Sequence, residues 1–287
     1  MGGVDRVTRL PSHNNIVSRL TCGEREIVLK LGPAGQRSAS LRREPGLLRF
    51  LDRQPLPTPK LIADGSDGRW IGRPWFATRS VGRRTAAERR GISPSSYRVL
   101  LASLGDCLAR LHDLHATPAD GLPKAAPLRE RYELELDYLR GRQLVEPVVL
   151  DFIGEGLSEL PQGGSSLCHF DFNPSQCVRV GPQLSAIVDW EGSGLGDAAT
   201  DFAIFDGWLD LLVDPSAGSA AEASRLAYRA RRPLPDDYAE RYRPVKLAHF
   251  AALVAAYARQ QRHGPMRTAR QYLLRAAGDG RDLKLAS

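Results

Sequence analysis

Cys168-His169-Phe170-Asp171-Phe172-Asn173-Pro174-Ser175-Gln176, followed closely by Ala186-Ile187-Val188-Asp189-Trp190, is the stretch from which the rest of this 287-residue chain can be read. It has the pattern of a strand, a polar loop, a hairpin and a second strand ending in a carboxylate. Residues 177–180 form an apolar-alternating run, Gly181-Pro182-Gln183 supplies a turn, and residues 184–188 return. A single hairpin therefore brings Asp171 and Asp189 near one another. Phosphoryl transfer needs such a pair, with one carboxylate beside the attacking hydroxyl and the other holding magnesium against nucleotide phosphates.

Upstream, residues 4–10, 16–21 and 27–31 read as three short strands separated by polar turns. The first turn, at residues 11–15, lacks the glycines of a phosphate loop. Lys30 lies inside the third strand between aliphatic residues, where a lysine can reach the α and β phosphates when a glutamate from the next helix holds it. Glu44 is the candidate partner, with Glu24 and Glu26 as poorer substitutes. It lies on a helical stripe with Leu41, Leu47, Leu48 and Leu51 over residues 38–53. Pro45 follows directly and is expected to push Glu44 away from helical dihedrals unless the helix begins there.

Two further strands, at 61–63 and 75–78, flank a Gly-Ser-Asp-Gly turn, and Arg79-Ser80-Val81-Gly82 leaves the sheet. The backbone of Ser80 and Val81 is the candidate hinge for a nucleotide base. Beyond residue 82 the pattern is helical, with segments at 93–114, 128–139 and 144–160 before the quoted stretch, and five more from residue 200 onward. These readings give an α+β, bilobal architecture. Residues 1–82 form an antiparallel-sheet nucleotide lobe, and residues 83–287 form a larger, mainly helical lobe with the catalytic loop and acceptor site.

The charge is divided along the chain. Residues 1–90 carry 18 Lys plus Arg against 8 Asp plus Glu, whereas the remainder carries 22 against 25. Residues 151–214 hold eleven acids and one base, Arg179. A basic front third suits a polyanion such as ATP or GTP, and the acidic stretch suits magnesium and a cationic acceptor. Arginines 79, 83, 84, 89 and 90 have no interleaved aromatics and match no nucleic-acid module, so no specific nucleic-acid partner is expected. No segment is apolar and long enough to span a bilayer, so no membrane partner and a cytoplasmic location are expected. Four cysteines in a chain this long do not make a disulfide framework, and Cys168, His169 and Cys177 lack the spacing of a zinc site.

The chain resembles the aminoglycoside phosphotransferase family of small-molecule kinases with a protein-kinase-like fold. The resemblance is carried by Lys30 in its strand, Arg43-Glu44, Leu108-Ala109-Arg110-Leu111-His112, His169-Phe170-Asp171, Ile187-Val188-Asp189-Trp190-Glu191, Gly196-Asp197 and Asp201-Phe202-Ala203. It implies that Asp171 orients and partly deprotonates the acceptor hydroxyl, that Asp189 ligates magnesium, and that His169 braces the loop. It also implies that Asp197 pins the segment after Trp190, although a helix cap fits that residue equally. Two positions depart from the family pattern. Gln176 stands where an asparagine metal ligand is usual, with Asn173 nearby but out of register, and Phe170 replaces a glycine. The implied activity is ATP-dependent phosphorylation of a hydroxyl on an aminoglycoside or cationic peptide antibiotic. A choline-like or homoserine-like metabolite kinase, or a catalytically weak pseudokinase, is the alternative.

Overall fold

A computed structural model describes residues 3–12, 15–32, 39–117, 122–212 and 218–278. The amino-terminal part begins with three antiparallel strands, β1 (Arg6–Leu10), β2 (Ile16–Cys22) and β3 (Arg25–Leu31). Helix α1 (Ala39–Leu51) follows, and then β4 (Leu61–Gly65) and β5 (Trp75–Arg79) complete a five-stranded sheet in the order β1-β2-β3-β5-β4. Because β5 inserts beside β3, Lys30 lies opposite Phe76 and Val28 opposite Thr78. On β2, Val17 lies opposite Lys30. Side chains alternate across a strand, so Lys30, Val28 and Val17 share one face of the sheet.

Helix α1 runs through Pro45, contrary to the expectation that the proline would displace Glu44 from the helix. A proline inside a helix costs about 3 kcal/mol. Tertiary contacts offset that cost: Leu41, Leu47, Leu48 and Leu51 are all buried, and Glu44, on the same stripe, makes the ion pair described below.

The chain leaves the sheet after Arg79, and β6 (Arg84–Thr85) already pairs with a strand of the second half. Helix α2 (Pro94–His112) starts where Ser93 Oγ accepts the Ser96 amide and Pro94 takes the first turn. Helices α3 (Leu128–Gly141) and α4 (Pro147–Glu159) precede β7 (Ser166–Cys168), β8 (Cys177–Val180) and β9 (Gln183–Ile187). A single 3-10 turn (Trp190–Gly192) and β10 (Gly194–Gly196) lead into α5 (Ala198–Leu212), α6 (Gly218–Arg231), α7 (Tyr238–Arg241), α8 (Arg243–Arg259) and α9 (His263–Ala277). Strands β6, β8 and β9 form one small sheet, and β7 pairs with β10 in another. The glycine-rich segment after Trp190 is thus partly a strand.

The core of this half is built on α2, whose Leu100, Leu101, Leu104, Leu108 and Leu111 are fully buried. Helix α6 lies so close that a Cβ on Gly105 would stand 2.0 Å from the Ser224 carbonyl oxygen. No described helix is long and apolar enough to cross a membrane.

Candidate active site

The loop between β7 and β8 is held from below by Asp201, in the first turn of α5. One carboxylate oxygen accepts the Phe170 amide at 2.7 Å and the other accepts the His169 amide at 2.7 Å. The second oxygen also meets His112 Nε2 at 3.1 Å, and His112 Nδ1 lies 2.8 Å from the Tyr228 hydroxyl. Burial works against the Asp201 charge, but the hydrogen bond and charge of His112 outweigh it and hold the pKa below the usual range. The sequence marked Asp201 only as part of the Asp201-Phe202-Ala203 match. Its role as the brace of the catalytic loop, and those of His112 and Tyr228, depend on contacts across 31 to 116 residues. Asp197 is the residue that caps α5, accepting the Ala199 and Thr200 amides at 3.2 Å each.

His169 turns Nε2 toward the Val188 carbonyl oxygen at 3.0 Å and packs 4.7 Å from the Trp190 ring. Burial lowers its pKa, so it is a neutral donor that ties the loop to the strand before Asp189. Phe170 adopts φ +61°, a left-handed conformation that costs a bulky residue about 1–2 kcal/mol. Two adaptations accommodate its ring. A Cβ on Gly196 would stand 2.5 Å from Phe170 Cζ, and the Arg131 guanidinium covers the ring at 3.9 Å from its centroid.

Asp171 and Asp189 come together as the hairpin predicts. The Gln176 amide nitrogen spans them, donating to Asp171 Oδ2 at 3.1 Å and Asp189 Oδ2 at 3.3 Å. Asn173 donates to Asp171 Oδ1 at 3.1 Å and accepts the Ser175 amide at 2.8 Å, so it fixes the carboxylate rather than substituting for Gln176. Burial pushes the Asp171 pKa up to about 7; the Gln176 hydrogen bond opposes the shift and the Asp189 charge adds to it. Asp189 has φ +66°, a conformation that aspartate tolerates better than most residues.

Lys30 reaches across from the sheet into a ring of carboxylates. Its Nζ lies 2.8 Å from Glu44 Oε2, 2.6 Å from Asp189 Oδ1 and 3.4 Å from Glu191 Oε2. Burial would depress the ammonium, but Glu44, Asp189 and Glu191 outweigh it and raise its pKa. Glu44 uses its other oxygen to accept the Trp190 amide at 3.2 Å, and burial raises its own pKa against the pull of Lys30. Asn15, at the end of the first polar turn, donates to Glu191 Oε2 at 2.6 Å. Residues 13 and 14 of that turn lie outside the described residues. The sequence did not single out Asn15 or Glu191 for the site.

At the exit from β5 the Ser80 amide donates to the Glu26 carbonyl at 3.0 Å, and the Ser185 hydroxyl donates to the Val81 carbonyl at 2.6 Å. Gly82 has φ +145°, and a Cβ there would stand 2.9 Å from Val178 Cγ1. These contacts tie residues 80–82 to both halves. The Val81 amide has no acceptor among the described residues.

The acidic stretch 151–214 is largely committed to internal contacts. Asp151 pairs with Arg140, and Asp206 and Asp210 share Arg225 and Lys246. Asp197 and Asp201 serve as cap and brace, and Asp171, Asp189 and Glu191 belong to the site. Glu155 and Glu159 remain on α4, and Asp214 lies outside the described residues. The raw count of acids therefore overstates the field available to an acceptor.

The fold is shared with known phosphotransferases. A thermostable mutant of aminoglycoside phosphotransferase APH(4)-Ia, in ternary complex with AMP-PNP and hygromycin B, superposes with a TM-score of 0.71 at 13% identity, over 96% of each chain. The GDP complex of aminoglycoside 2′-phosphotransferase-IIIa gives 0.69 at 14% identity, over 96% of this chain and 93% of the other. Macrolide 2′-phosphotransferase MphH from Brachybacterium faecium gives 0.65 at 18%, over 93% and 94%. At such identities the likeness establishes the bilobal, protein-kinase-like fold and nothing finer. A search of curated protein sequences finds no match. The sequence model of the phosphotransferase enzyme family (APH) matches residues 6–234, and with the site geometry above it makes this chain a small-molecule kinase belonging to that family.

Proposed function

We propose that this kinase uses ATP, or GTP, to phosphorylate a hydroxyl of a small amine-bearing molecule in the cytoplasm, an aminoglycoside or cationic peptide antibiotic being the leading class. The observation that carries the reading is the continuous contact path from Glu44 through Lys30 and Asp189 to Gln176 and Asp171. In it, Asp171 is the base: its raised pKa lets it accept the hydroxyl proton near neutral pH, and Asn173 and Gln176 set its orientation. The transition state is loose, so position matters more than basic strength.

Lys30, steadied by Glu44, is the cation for the α and β phosphates. Val17 and Val28 put apolar surface on the same face, and the hinge at Ser80 and Val81 offers the Val81 amide to the base. The donor set suits magnesium, since the carboxylate oxygens of Glu44, Asp189 and Glu191 lie within 4.8 Å of one another and hard cations prefer oxygen ligands. Asp189, with the Gln176 amide oxygen after rotation of that group, would hold the ion, which when bound neutralises charge developing on the transferred phosphate. Gln176 would then be both bridge and ligand.

For the acceptor, support comes from the hygromycin B complex of the APH(4)-Ia structure and from the acids on α3 and α4. Glu133, Asp137, Asp151 and Glu155 line a recess of about 160 Å³ there; Arg140 pairs with Asp137 and Asp151, which leaves Glu133 and Glu155 as its acids for an amine. The test is incubation with nucleotide, magnesium and a panel of hydroxylated amines and neutral alcohols, read by mass spectrometry for an added phosphate. Phosphorylation of amine-bearing acceptors, abolished in Asp171→Ala, is expected. Absence of magnesium-dependent turnover with every acceptor would overturn the kinase reading, and turnover confined to neutral or anionic alcohols would overturn the acceptor class alone.

A further inference from the structure

The connection between β4 and β5 ends in a built apolar tip with no role in the site. Trp70 is 82% exposed and Ile71 is 55% exposed, so neither contributes to the core. The tip has defined geometry: Gly68 and Gly72 have φ +75° and +69°, the Gly68 amide donates to the Gly65 carbonyl at 2.9 Å, and the Arg69 amide donates to Asp67 Oδ1 at 3.0 Å. Positive φ at both glycines projects the intervening Arg69-Trp70-Ile71 segment from the sheet.

Basic residues surround it. Arg69 and Arg73 flank the apolar pair, with Arg69 in an exposed contact of 3.1 Å to Asp67. Arg42 of α1 donates to the Ser66 carbonyl at 2.7 Å and Arg49 pairs with Asp64 at 2.6 Å, which sets the exposed arginine face of α1 beside the base of the tip. Residues 39–79 contain eight Lys plus Arg and four Asp plus Glu, one of which, Glu44, is buried against Lys30. Tryptophan favours the boundary between water and hydrocarbon, and arginine favours the anionic surface of that boundary.

We propose that the Arg69–Arg73 tip docks this kinase peripherally on an anionic lipid surface, with Trp70 and Ile71 inserted at headgroup depth and the arginines of the tip and α1 facing the phosphates. The site stays open in that arrangement. The tip precedes β5 and the hinge follows it, and five strand residues separate the two by about 15 Å. The expectation of no membrane partner came from the lack of a spanning segment, a criterion blind to a tip of this kind.

The experiment is cosedimentation of the full chain with phosphatidylcholine vesicles with and without phosphatidylserine, across a salt series. Binding to the anionic vesicles is expected, weakened roughly tenfold or more in Trp70→Ser. Charge reversal in Arg69→Glu or Arg73→Glu should weaken it by about fivefold or more and flatten the salt dependence. Since Trp70 is 82% exposed and lies outside the core, its variant should keep the wild-type melting temperature and soluble kinase activity, which separates lost docking from lost fold. Equal binding by wild type and Trp70→Ser, or no preference for phosphatidylserine, overturns the proposal. So does a concentration-dependent dimer, lost in Trp70→Ser, from a chain that ignores vesicles, because the tip would then be a contact between copies.

Discussion

The two sides of the cleft are held by different physics. Lys30 on the sheet side is surrounded by the carboxyl groups of Glu44, Asp189 and Glu191, which in the proposed reading ligands can exchange. The catalytic loop on the helical side is held by Asp201, His112 and Tyr228, completely or almost completely buried and bonded to one another and to backbone amides. In the proposed reading the first arrangement opens to accept phosphates, whereas the second is fixed by buried hydrogen bonds. Kinase chemistry uses both, since the nucleotide must enter and leave while the base stays in register with the acceptor.

Substitution of Asp171, the proposed base, should give the largest effect. Asp171→Asn is expected to lower kcat by about 10²- to 10⁴-fold with nucleotide affinity retained, measured by turnover and calorimetry. If nucleotide binding fell in parallel, Asp171 would belong to the exchangeable side. Next is Asp201→Ala, which leaves two loop amides and His112 facing a vacancy. About 3–5 kcal/mol of stability should be lost in urea unfolding. A loss no greater than that from an exposed ion pair would erase the contrast drawn above.

Gly196→Ala should cost about 1–3 kcal/mol by overpacking against Phe170. Combination with Phe170→Gly should recover much of this, and a double-mutant cycle with no coupling would show that the two residues are independent. Acidity should separate activity from stability. With the Asp171 pKa at about 7, kcat/KM should fall about tenfold per pH unit below that value and level off above it. The folded carboxyl holds its proton more tightly than the unfolded one, so this group's contribution favours folding below the unfolded carboxylate range and declines as pH rises toward 7. Asp171→Asn should therefore flatten both profiles. The smallest effect is Tyr228→Phe, about 1 kcal/mol of stability with a reduced kcat and unchanged KM; a raised nucleotide KM instead would connect the brace to the exchangeable side.

Most helices were legible because their apolar residues repeat at the helical period: the expected segments at 93–114, 128–139 and 144–160 became α2, α3 and α4 with boundaries moved by a few residues. The hairpin bearing Asp171 and Asp189 was legible from alternation and its glycine turn. The continuity of α1 through Pro45 was not, because the local preference of the proline opposed it and the contacts that overrule it come from β3 and from Trp190. The acid count is a coarser guide for a related reason: composition registers charges but not the arginines and amides that face them.

The chain's sequence alone determined the lobes, the two carboxylates and the lysine, since periodicity and motif spacing are local properties. Only the tertiary structure decided what those groups touch. Lys30 meets Asp189 across 159 residues, and Asn15 meets Glu191 across 176, distances over which no local propensity acts. It also decided how Gln176 and Phe170 are accommodated. An extra methylene reaches both carboxylates only once the hairpin has closed, and an aromatic ring replaces a glycine only where Gly196 leaves it space.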